Sequence, residues 1–421
     1  MLKSSLGFHT ITLTLSMSLD EARELLIDFS TYRENTKLIE MYIKDEKGNP
    51  IIYYYKYPLM PLKVDIYFID RYGGIKWCIR ASQKPSNTDY IVEATINPKF
   101  LAGITDYLTA ATYSDMNCAI ANFNDESQKI SPLLYQFNDY KINRIDYCVN
   151  ISLDEFIPGY NPDQILNLIK KSDIPPHYEE WMEYDKTAHR MKSKPESFYL
   201  ISKSVNINYY SKYLQLLNKS KKNVEKGFKP IDPEIIDASR DIYRFEVQCK
   251  YHKMYSLSQK TEKTGVLDYN KYKSLLTPVK CVEIVSDYYK KTIRKGDWYS
   301  LSEAEKIIKS KGFNCQREQK LIHALKYVSQ CRSLAKAKKA CPKNQLKAFK
   351  QTLDELSNLN INPVTIPREW NIKHIPNLLR SYFNKLMNAS SDNNNLRNME
   401  MHFLTAQGYR DYCKIFGHPP I

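Results

Sequence analysis

Three short segments of the chain carry alternating polar side chains that together could cleave a phosphodiester bond. They are Asn143–Asn150, Asn206–Lys212 and Tyr243–Lys250. In each segment polar residues alternate with apolar ones, which is the pattern of a β-strand with one polar face. If the strands are neighbours, two carboxylates, a tyrosine and several cations share one surface. That set suits a metal-assisted attack by a tyrosine on a phosphate.

Asp146 and Glu246 are the candidate metal ligands. Hard divalent cations such as Mg²⁺ and Mn²⁺ prefer oxygen ligands, and these carboxylates lie on the polar faces of the first and third segments. Arg144 and Arg244 share those faces and could clamp a phosphate. A structural alternative stays open, in which each arginine simply forms an ion pair with the carboxylate two positions after it.

Tyr210 is the candidate nucleophile. A phenol, with a pKa of about 10, is a weak nucleophile at neutral pH until a cation stabilises its oxyanion. Lys212 and Arg244 are the candidate catalytic cations beside it. Tyr209 and Tyr213 compete for the nucleophile's role, although on an ideal strand Tyr209 faces the opposite, apolar side.

Other catalytic motifs are missing from the sequence. The eight histidines are single and widely spaced, without a His-x-His or His-Glu-x-x-His motif, which argues against zinc hydrolysis. A Gly-x-x-x-x-Gly-Lys-Ser/Thr phosphate loop is also missing, which disfavours an ATP-driven helicase. The nine cysteines follow no metal-binding spacing and indicate reduced thiols in a cytoplasm.

The charge balance favours a polyanionic partner. The 421 residues include 62 Lys and Arg against 47 Asp and Glu, a formal charge of +15. Nucleic acid is the commonest such partner, although codon drift in an AT-rich genome could also enrich lysine. The sequence shows neither a signal peptide nor an apolar run of about 18 residues. We therefore expect a cytoplasmic protein without a membrane partner.

The first part of the chain predicts an α+β fold with a mainly antiparallel sheet. Phe8–Leu15 alternates as a strand, and Ser18 with Glu21 predicts a capping box that opens a helix to about Phe29. Tyr72–Gly74 predicts a hairpin turn. Helical patterns follow at 99–111 and 127–136.

From about residue 259 the pattern becomes helical. Ser300 caps a predicted helix to Ser310, Gly312 marks a turn, and Asn314 caps a longer helix, which is a helix-turn-helix rhythm. The stretch 331–350 then holds seven Lys or Arg and no acidic residue. A solvated helix face is the alternative to DNA contact. The predicted DNA-contacting residues are Arg144, Lys250, Arg332, Lys336, Lys338 and Lys339.

The three polar segments resemble rolling-circle replication initiation factors and related relaxases of Gram-positive plasmids, phages and integrative elements. The resemblance lies in Arg144-Ile145-Asp146, Tyr210-Ser211-Lys212 and Arg244-Phe245-Glu246, in the family's order and spacing, and covers roughly residues 8–256. Family members often carry a second Asp where this chain has Asn150. The resemblance implies a fold related to nicking endonucleases with a His-hydrophobic-His metal motif, with carboxylates replacing the histidine pair.

The resemblance also implies a function and its partners. It implies an initiator that nicks origin DNA through Tyr210, forms a 5′-phosphotyrosyl intermediate and uses Mg²⁺ or Mn²⁺. We expect a nicking and strand-transfer domain at 1–258 and an all-helical DNA-binding domain at 259–421. Expected partners are double- and single-stranded origin DNA and a host helicase and polymerase, with self-association into a homodimer as a further expectation. A non-catalytic origin-binding initiator and a conjugative relaxase of the same chemistry are the alternatives.

Overall fold

The computed structural model describes most of the chain. The residues described are 3–36, 39–44, 50–52, 66–70, 74–81, 90–104, 108–185, 189–225, 229–263, 274–388 and 407–419.

The strands, in chain order, are β1 Ser5–Met17, β2 Ile39–Lys44, β3 Pro50–Ile52, β4 Ile66–Asp70, β5 Ile75–Ala81, β6 Tyr90–Ile96, β7 Lys141–Ser152, β8 Glu179–Glu180, β9 Met182–Asp185, β10 Arg190–Ser193, β11 Ser197–Ile201, β12 Val205–Ser211, β13 Ile242–Cys249, β14 Trp298–Tyr299 and β15 His374–Ile375. The helices are α1 Leu19–Thr36, α2 Pro98–Leu101, α3 Tyr113–Ile130, α4 Leu153–Phe156, α5 Pro162–Lys170, α6 Lys212–Glu225, α7 Pro233–Ala238, α8 Tyr251–Lys263, α9 Pro278–Thr292, α10 Leu301–Lys309, α11 Cys315–Gln330, α12 Leu334–Ala340, α13 Leu346–Asn358 and α14 Leu378–Asn388, and residues 407–416 are also helical.

One large sheet organises the fold. It has 11 strands in the order β3-β2-β4-β5-β6-β1-β7-β13-β12-β11-β8. Neighbouring strands in it run antiparallel. The structure thus confirms the predicted α+β class with a mainly antiparallel sheet. The three polar segments form the adjacent strands β7, β13 and β12, so their polar faces meet as expected.

The apolar face of these strands packs against α9. Tyr289 of α9 contacts Phe245 of β13 with ring centroids 5.4 Å apart. Tyr209 lies on this face, stacked on Tyr243 with centroids 5.5 Å apart. Burial of these aromatic side chains stabilises the sheet and fixes which face of β12 stays polar.

A β-bulge interrupts the pairing of β1 with β7. Phe8 pairs with Tyr147 and Ile11 pairs with Ile145, so two residues of β1 lie opposite the single residue Asp146. A bulge places consecutive side chains away from strict alternation and is common beside functional sites. Here it lets both His9 and Thr10 approach the polar face of β7.

A segment before α3 covers part of that polar face. Phe8 and Ala111 exchange two backbone hydrogen bonds of 2.8 and 3.1 Å. Gly7 permits this approach, because a Cβ there would lie 1.8 Å from the carbonyl oxygen of Ala111. Leu108 packs against a small apolar cluster that joins α6 to α7. The segment covers the polar face at Asn150 and Arg244, since Asn150 donates to the Leu108 carbonyl and Arg244 to the Thr109 carbonyl.

The predicted capping of three helices is confirmed. Ser18 and Glu21 exchange the expected capping-box hydrogen bonds at α1, and the helix runs to Thr36, beyond its predicted end. Ser300 accepts a hydrogen bond from Glu303 N at α10, and Asn314 accepts one from Arg317 N at α11.

Two predicted helices have different bounds. Among the described residues of 99–111, only the short helix α2 forms, and Ala111 pairs with Phe8 of β1 instead of continuing a helix. The pattern at 127–136 is wrong, since α3 begins earlier, under the Thr112 cap, and ends at Ile130. Residues 72–73 of the predicted hairpin turn lie outside the described residues.

The region after α8 is mainly helical within the described ranges. It also contains β14 and β15, which form a small two-stranded sheet, so "all-helical" was too strict an expectation. The predicted boundary between residues 258 and 259 stays a prediction. In the part of the chain that the structure describes, a helix long and apolar enough to cross a membrane is not found.

The close approach at Gly7 yields a stability prediction. Gly7→Ala should lower the free energy of unfolding by about 1–3 kcal/mol, because the added methyl group overlaps the Ala111 carbonyl. Urea denaturation followed by circular dichroism measures this change. Ser16→Ala, at an exposed position of the same strand, is the control. An equal midpoint for Gly7→Ala and wild type would contradict the packing described.

Candidate functional site

Three potential metal-ligating side chains converge on the polar face. Ligand atoms of His9, Asp146 and Glu246 all lie within 4.8 Å of one another. The side-chain oxygen of Asn208, opposite Glu246 in register, is buried without a hydrogen-bond partner among the described residues. Two carboxylates, an imidazole nitrogen and a spare amide oxygen fit a divalent cation such as Mn²⁺ or Mg²⁺.

Glu246 is the centre of this set. Its Oε2 lies 3.1 Å from His9 Nδ1 and accepts a hydrogen bond of 3.3 Å from the Tyr210 hydroxyl. Gln248 Nε2 donates to Oε1 at 2.7 Å. Burial disfavours the charged carboxylate, but His9, Arg244 and Gln248 outweigh burial and hold the pKa of Glu246 below its ordinary value. The carboxylate is therefore ionised at neutral pH and available to a cation.

Asp146 behaves differently from its partner. Burial and the negative charge of Glu246 raise the pKa of Asp146 to about 7, against the opposing effect of Arg144. Arg144 donates two hydrogen bonds of 2.7 Å to the two carboxylate oxygens. The structural alternative thus holds for this pair. The Nε and Nη2 groups of Arg144 are already engaged by Asp146, so they are not available to bind a phosphate. Its side chain remains 34% exposed.

His9 contributes an imidazole from β1. Burial by its neighbours outweighs the attraction of Glu246 and lowers the pKa of His9 below the ordinary value. A neutral imidazole is the form that binds metal ions. The side chain is 29% exposed, so the centre is open on the side of His9 and Arg144.

Tyr210 lies on the same face as both carboxylates but under cover. It is 4% exposed, and burial raises the pKa of its phenol well above the ordinary value, with Arg244 opposing that effect. Tyr209 faces the apolar side, as predicted, and Tyr213 lies on α6 with Arg240 4.7 Å from its ring centroid. Of the three candidate tyrosines, Tyr210 is therefore the one hydrogen-bonded to a candidate metal ligand.

Arg244 is fully enclosed beside Tyr210. Its Nε donates to Asn150 Oδ1 at 2.7 Å, and Asn150 in turn donates to the carbonyl of Leu108. Its Nη1 is buried without a hydrogen-bond partner of ordinary geometry in the described part of the chain. A buried cationic nitrogen with spare donor capacity suits an incoming oxyanion. The ion pair of Arg244 with Glu246, which the structural alternative required, is not formed as a direct contact among the described residues.

Lys212 is not on the strand as predicted but is the first residue of α6. The change of structure still leaves it buried near the site, where it donates to Gln215 Oε1 at 2.9 Å. Burial and the nearby charge of Arg244 lower the pKa of Lys212 well below its ordinary value, with Glu246 opposing them. A Lys whose pKa is lowered loses its proton more readily, and its neutral amine can then accept one.

The predicted DNA-contacting residues lie in two places. Arg144 lies on β7, and Lys250, one residue beyond β13, donates to the carbonyl of Ser202 at 2.6 Å. The other four lie around α12, far along the chain from the sheet strands. Lys338 forms an ion pair with Asp173, so part of its charge is already neutralised within the protein. The exposed members of this group are Arg332, Lys336 and Lys339.

His9 is the site residue that sequence reasoning missed. Its sequence neighbours give no metal motif, and a separation of more than 130 residues hides its proximity to Asp146 and Glu246. The one usable signal was the alternation of Phe8–Leu15, which predicted the strand but not the bulge that turns His9 toward the carboxylates.

Comparisons with known proteins add little to this geometry. Neither a family model nor a curated protein matches the chain. Among solved structures, a rolling circle replication initiator protein from Geobacillus stearothermophilus is similar, with 12% identity and a TM-score of 0.30, over 68% of this chain and 85% of that one. At this TM-score the similarity shows neither the fold nor the function of this chain.

The raised pKa of Asp146 yields a prediction for metal binding. Because cations bind the ionised carboxylate, Mn²⁺ affinity should rise roughly tenfold between pH 6 and pH 8, as a group with a pKa of about 7 loses its proton. Isothermal titration calorimetry measures this. Asp146→Asn should weaken binding and flatten the pH dependence, whereas Asp237→Asn, at an exposed surface carboxylate, should change neither. A pH-independent wild-type affinity would contradict the assignment.

Proposed function

We propose that this chain is a DNA-nicking and strand-transferring initiator of rolling-circle replication, with Tyr210 as its nucleophile. One observation carries the proposal: the Tyr210 hydroxyl is hydrogen-bonded to Glu246, which lies within 4.8 Å of His9 and Asp146. Cleavage of a phosphodiester by a tyrosine requires a phenol beside a divalent-cation site, with cationic side chains around it.

The proposed reaction is an ester exchange. The Tyr210 oxygen attacks the scissile phosphorus, forming a phosphotyrosyl bond to the 5′ side and breaking the bond to the 3′ oxygen. The phenolic proton would pass to a base, for which Lys212 with its lowered pKa is the candidate, and the leaving 3′ oxygen takes up a proton to become a hydroxyl. The exchange conserves one phosphodiester, so it needs no ATP and can run backward to reseal the strand.

The carboxylates, His9 and Asn208 would hold the divalent ion, whose role is to neutralise charge on the phosphate and on the phenolate. Arg244 Nη1 would donate to a phosphate oxygen from within the sheet, since it has no hydrogen-bond partner of ordinary geometry in the described part. Lys212, with its lowered pKa, would supply or accept a proton nearby. The substrate would enter from the side where His9 and Arg144 remain partly exposed.

A duplex origin would contact the basic region around α12. Arg332, Lys336 and Lys339 are exposed there, and the chain carries a net charge of +15. Lysine and arginine contacts to phosphate supply much of the affinity of such complexes. A free 3′-hydroxyl left by nicking suits extension by a host polymerase, with a helicase opening the duplex.

A second candidate is an origin-binding initiator without nicking activity. The bidentate ion pair of Arg144 with Asp146 and the 4% exposure of Tyr210 favour it, because both features also stabilise a purely structural sheet. The two candidates differ in a single observable, the covalent protein–DNA adduct.

Removal of the Tyr210 hydroxyl tests the chemistry directly. Tyr210→Phe should abolish the covalent adduct while single-stranded DNA binding changes little, because only the attacking oxygen is lost. The measurement is a denaturing gel after incubation with Mn²⁺ and labelled single-stranded oligonucleotides tiling the genetic element that encodes the protein.

Two further variants complete that experiment. Tyr209→Phe, which removes a buried hydroxyl on the opposite face, should still form the adduct. Glu246→Ala should lose cleavage but keep salt-sensitive DNA binding. An adduct that persists in Tyr210→Phe and disappears in Tyr209→Phe would refute the assignment, and a wild-type protein without adduct would favour the non-catalytic candidate.

Salt dependence tests the basic region. Lys336→Ala and Lys339→Ala should each reduce the slope of log affinity for duplex DNA against log salt by about one. Lys338→Ala is the matched control and should reduce it less, because Lys338 already pairs with Asp173. Fluorescence anisotropy with a labelled duplex gives the slopes. Equal effects at the three lysines, or none, would contradict this contact surface.

A further inference from the structure

A row of side chains continues from Glu246 across the sheet toward its β8 edge. Glu246 lies opposite Asn208 on β12, and Asn208 lies opposite Tyr199 on β11. Trp181, directly after β8, lies beside Tyr199 in turn, and its backbone N–H donates to the Tyr199 carbonyl at 2.7 Å. Neighbouring strands lie about 4.8 Å apart, and three such spacings separate β13 from β8. The backbone of Trp181 is therefore about 14 Å from that of Glu246.

The two aromatic rings at the end of this row are in contact. Their centroids are 6.4 Å apart and their planes are inclined by 50°. Trp181 is 42% exposed, whereas Trp77 and Trp298 are fully buried. Tyr199 is half-buried. An exposed tryptophan beside a partly open tyrosine offers ring surface to a flat ligand.

The Tyr199 ring is held in place by the candidate site itself. Its hydroxyl donates to Gln248 Oε1 at 3.3 Å and accepts from Asn206 Nδ2 at 3.0 Å. Gln248 also donates a hydrogen bond to Glu246. The aromatic row and the carboxylates are therefore parts of one hydrogen-bonded surface.

Cationic and polar groups complete the surface. Arg144 donates to Asp146, which lies opposite Gln248 in register, and Lys250 donates to the carbonyl of Ser202 just beyond β11. The buried Asn208 Oδ1, between Glu246 and Tyr199, has spare acceptor capacity in the described part. Positive charge that follows a backbone, with aromatic rings for successive bases, is the common design of single-strand binding surfaces.

We propose that Trp181 and Tyr199 form a stacking platform for the bases of single-stranded DNA next to the scissile phosphate. The placement of that phosphate rests on the proposed function, whereas base stacking on the platform does not require nicking. The row continues into the candidate metal centre and lies beside two cations, so its occupant is a single-stranded polyanion with flat groups.

The test uses labelled oligothymidylate and an abasic oligonucleotide of the same length, both in EDTA so that cleavage is prevented. Trp181→Ala and Tyr199→Ala should each weaken binding of oligothymidylate about 5- to 150-fold, the range expected for one lost base–aromatic stack. Binding of the abasic oligonucleotide should change little. Trp181→Phe and Tyr199→Phe should retain most of the affinity, because they keep a ring.

Tryptophan fluorescence gives a second readout. Oligothymidylate should quench the wild-type emission, and Trp181→Phe should remove most of that quenching. Tyr135→Ala, at another exposed tyrosine outside the row, is the matched control and should leave both readouts unchanged.

Two results would overturn the platform: unchanged affinity in Trp181→Ala and Tyr199→Ala, or an equal loss with the abasic oligonucleotide, which would assign the contact to the backbone alone. The adduct assay separates this inference from the proposed function. Stacking without an adduct would refute nicking and leave the platform, whereas an adduct without stacking would refute the platform and leave nicking.

Discussion

Burial of two carboxylates on neighbouring strands is the constraint on which the site depends. A buried negative charge is costly unless it is paired and hydrogen-bonded. Glu246 obtains this compensation from His9, Gln248 and Arg244, and it also accepts the Tyr210 hydroxyl hydrogen bond. Because these groups come from different strands, the charge is satisfied only when β1, β13 and β12 hold one register. In this arrangement the pKa of Glu246 lies below its ordinary value, whereas the pKa of Asp146 is raised to about 7.

The two faces of the sheet have different surroundings. The apolar face of β13 and β12 packs on α9, and Tyr209 stacks there on Tyr243. The segment before α3, which packs closely against Gly7, covers part of the polar face. The face is open beside the His9 side chain. Solvent thus has a route to the carboxylates, while the phenol and Arg244 stay in a dry environment where electrostatic effects are stronger.

Local periodicity was sufficient to predict much of this arrangement. The period of two in β7, β12 and β13 assigned Asp146, Glu246 and Tyr210 to polar faces and Tyr209 to the apolar one, and the structure confirms that these faces adjoin. Helix caps at Ser18 and Asn314 were also predictable, because capping depends on a few adjacent residues. Helix bounds near 99–111 were not, since contacts with β1 override local helical propensity there.

The sequence by itself determined which residue types alternate along each strand, because that pattern depends only on backbone geometry. The tertiary structure alone decided which distant residues meet. His9 reaches Glu246 through a bulge that no local pattern encodes, Arg144 is committed to Asp146, and Lys212 begins a helix yet stays at the site. The physical reason is that pairing register and burial are set by the free energy of the whole sheet, to which residues hundreds of positions apart contribute together.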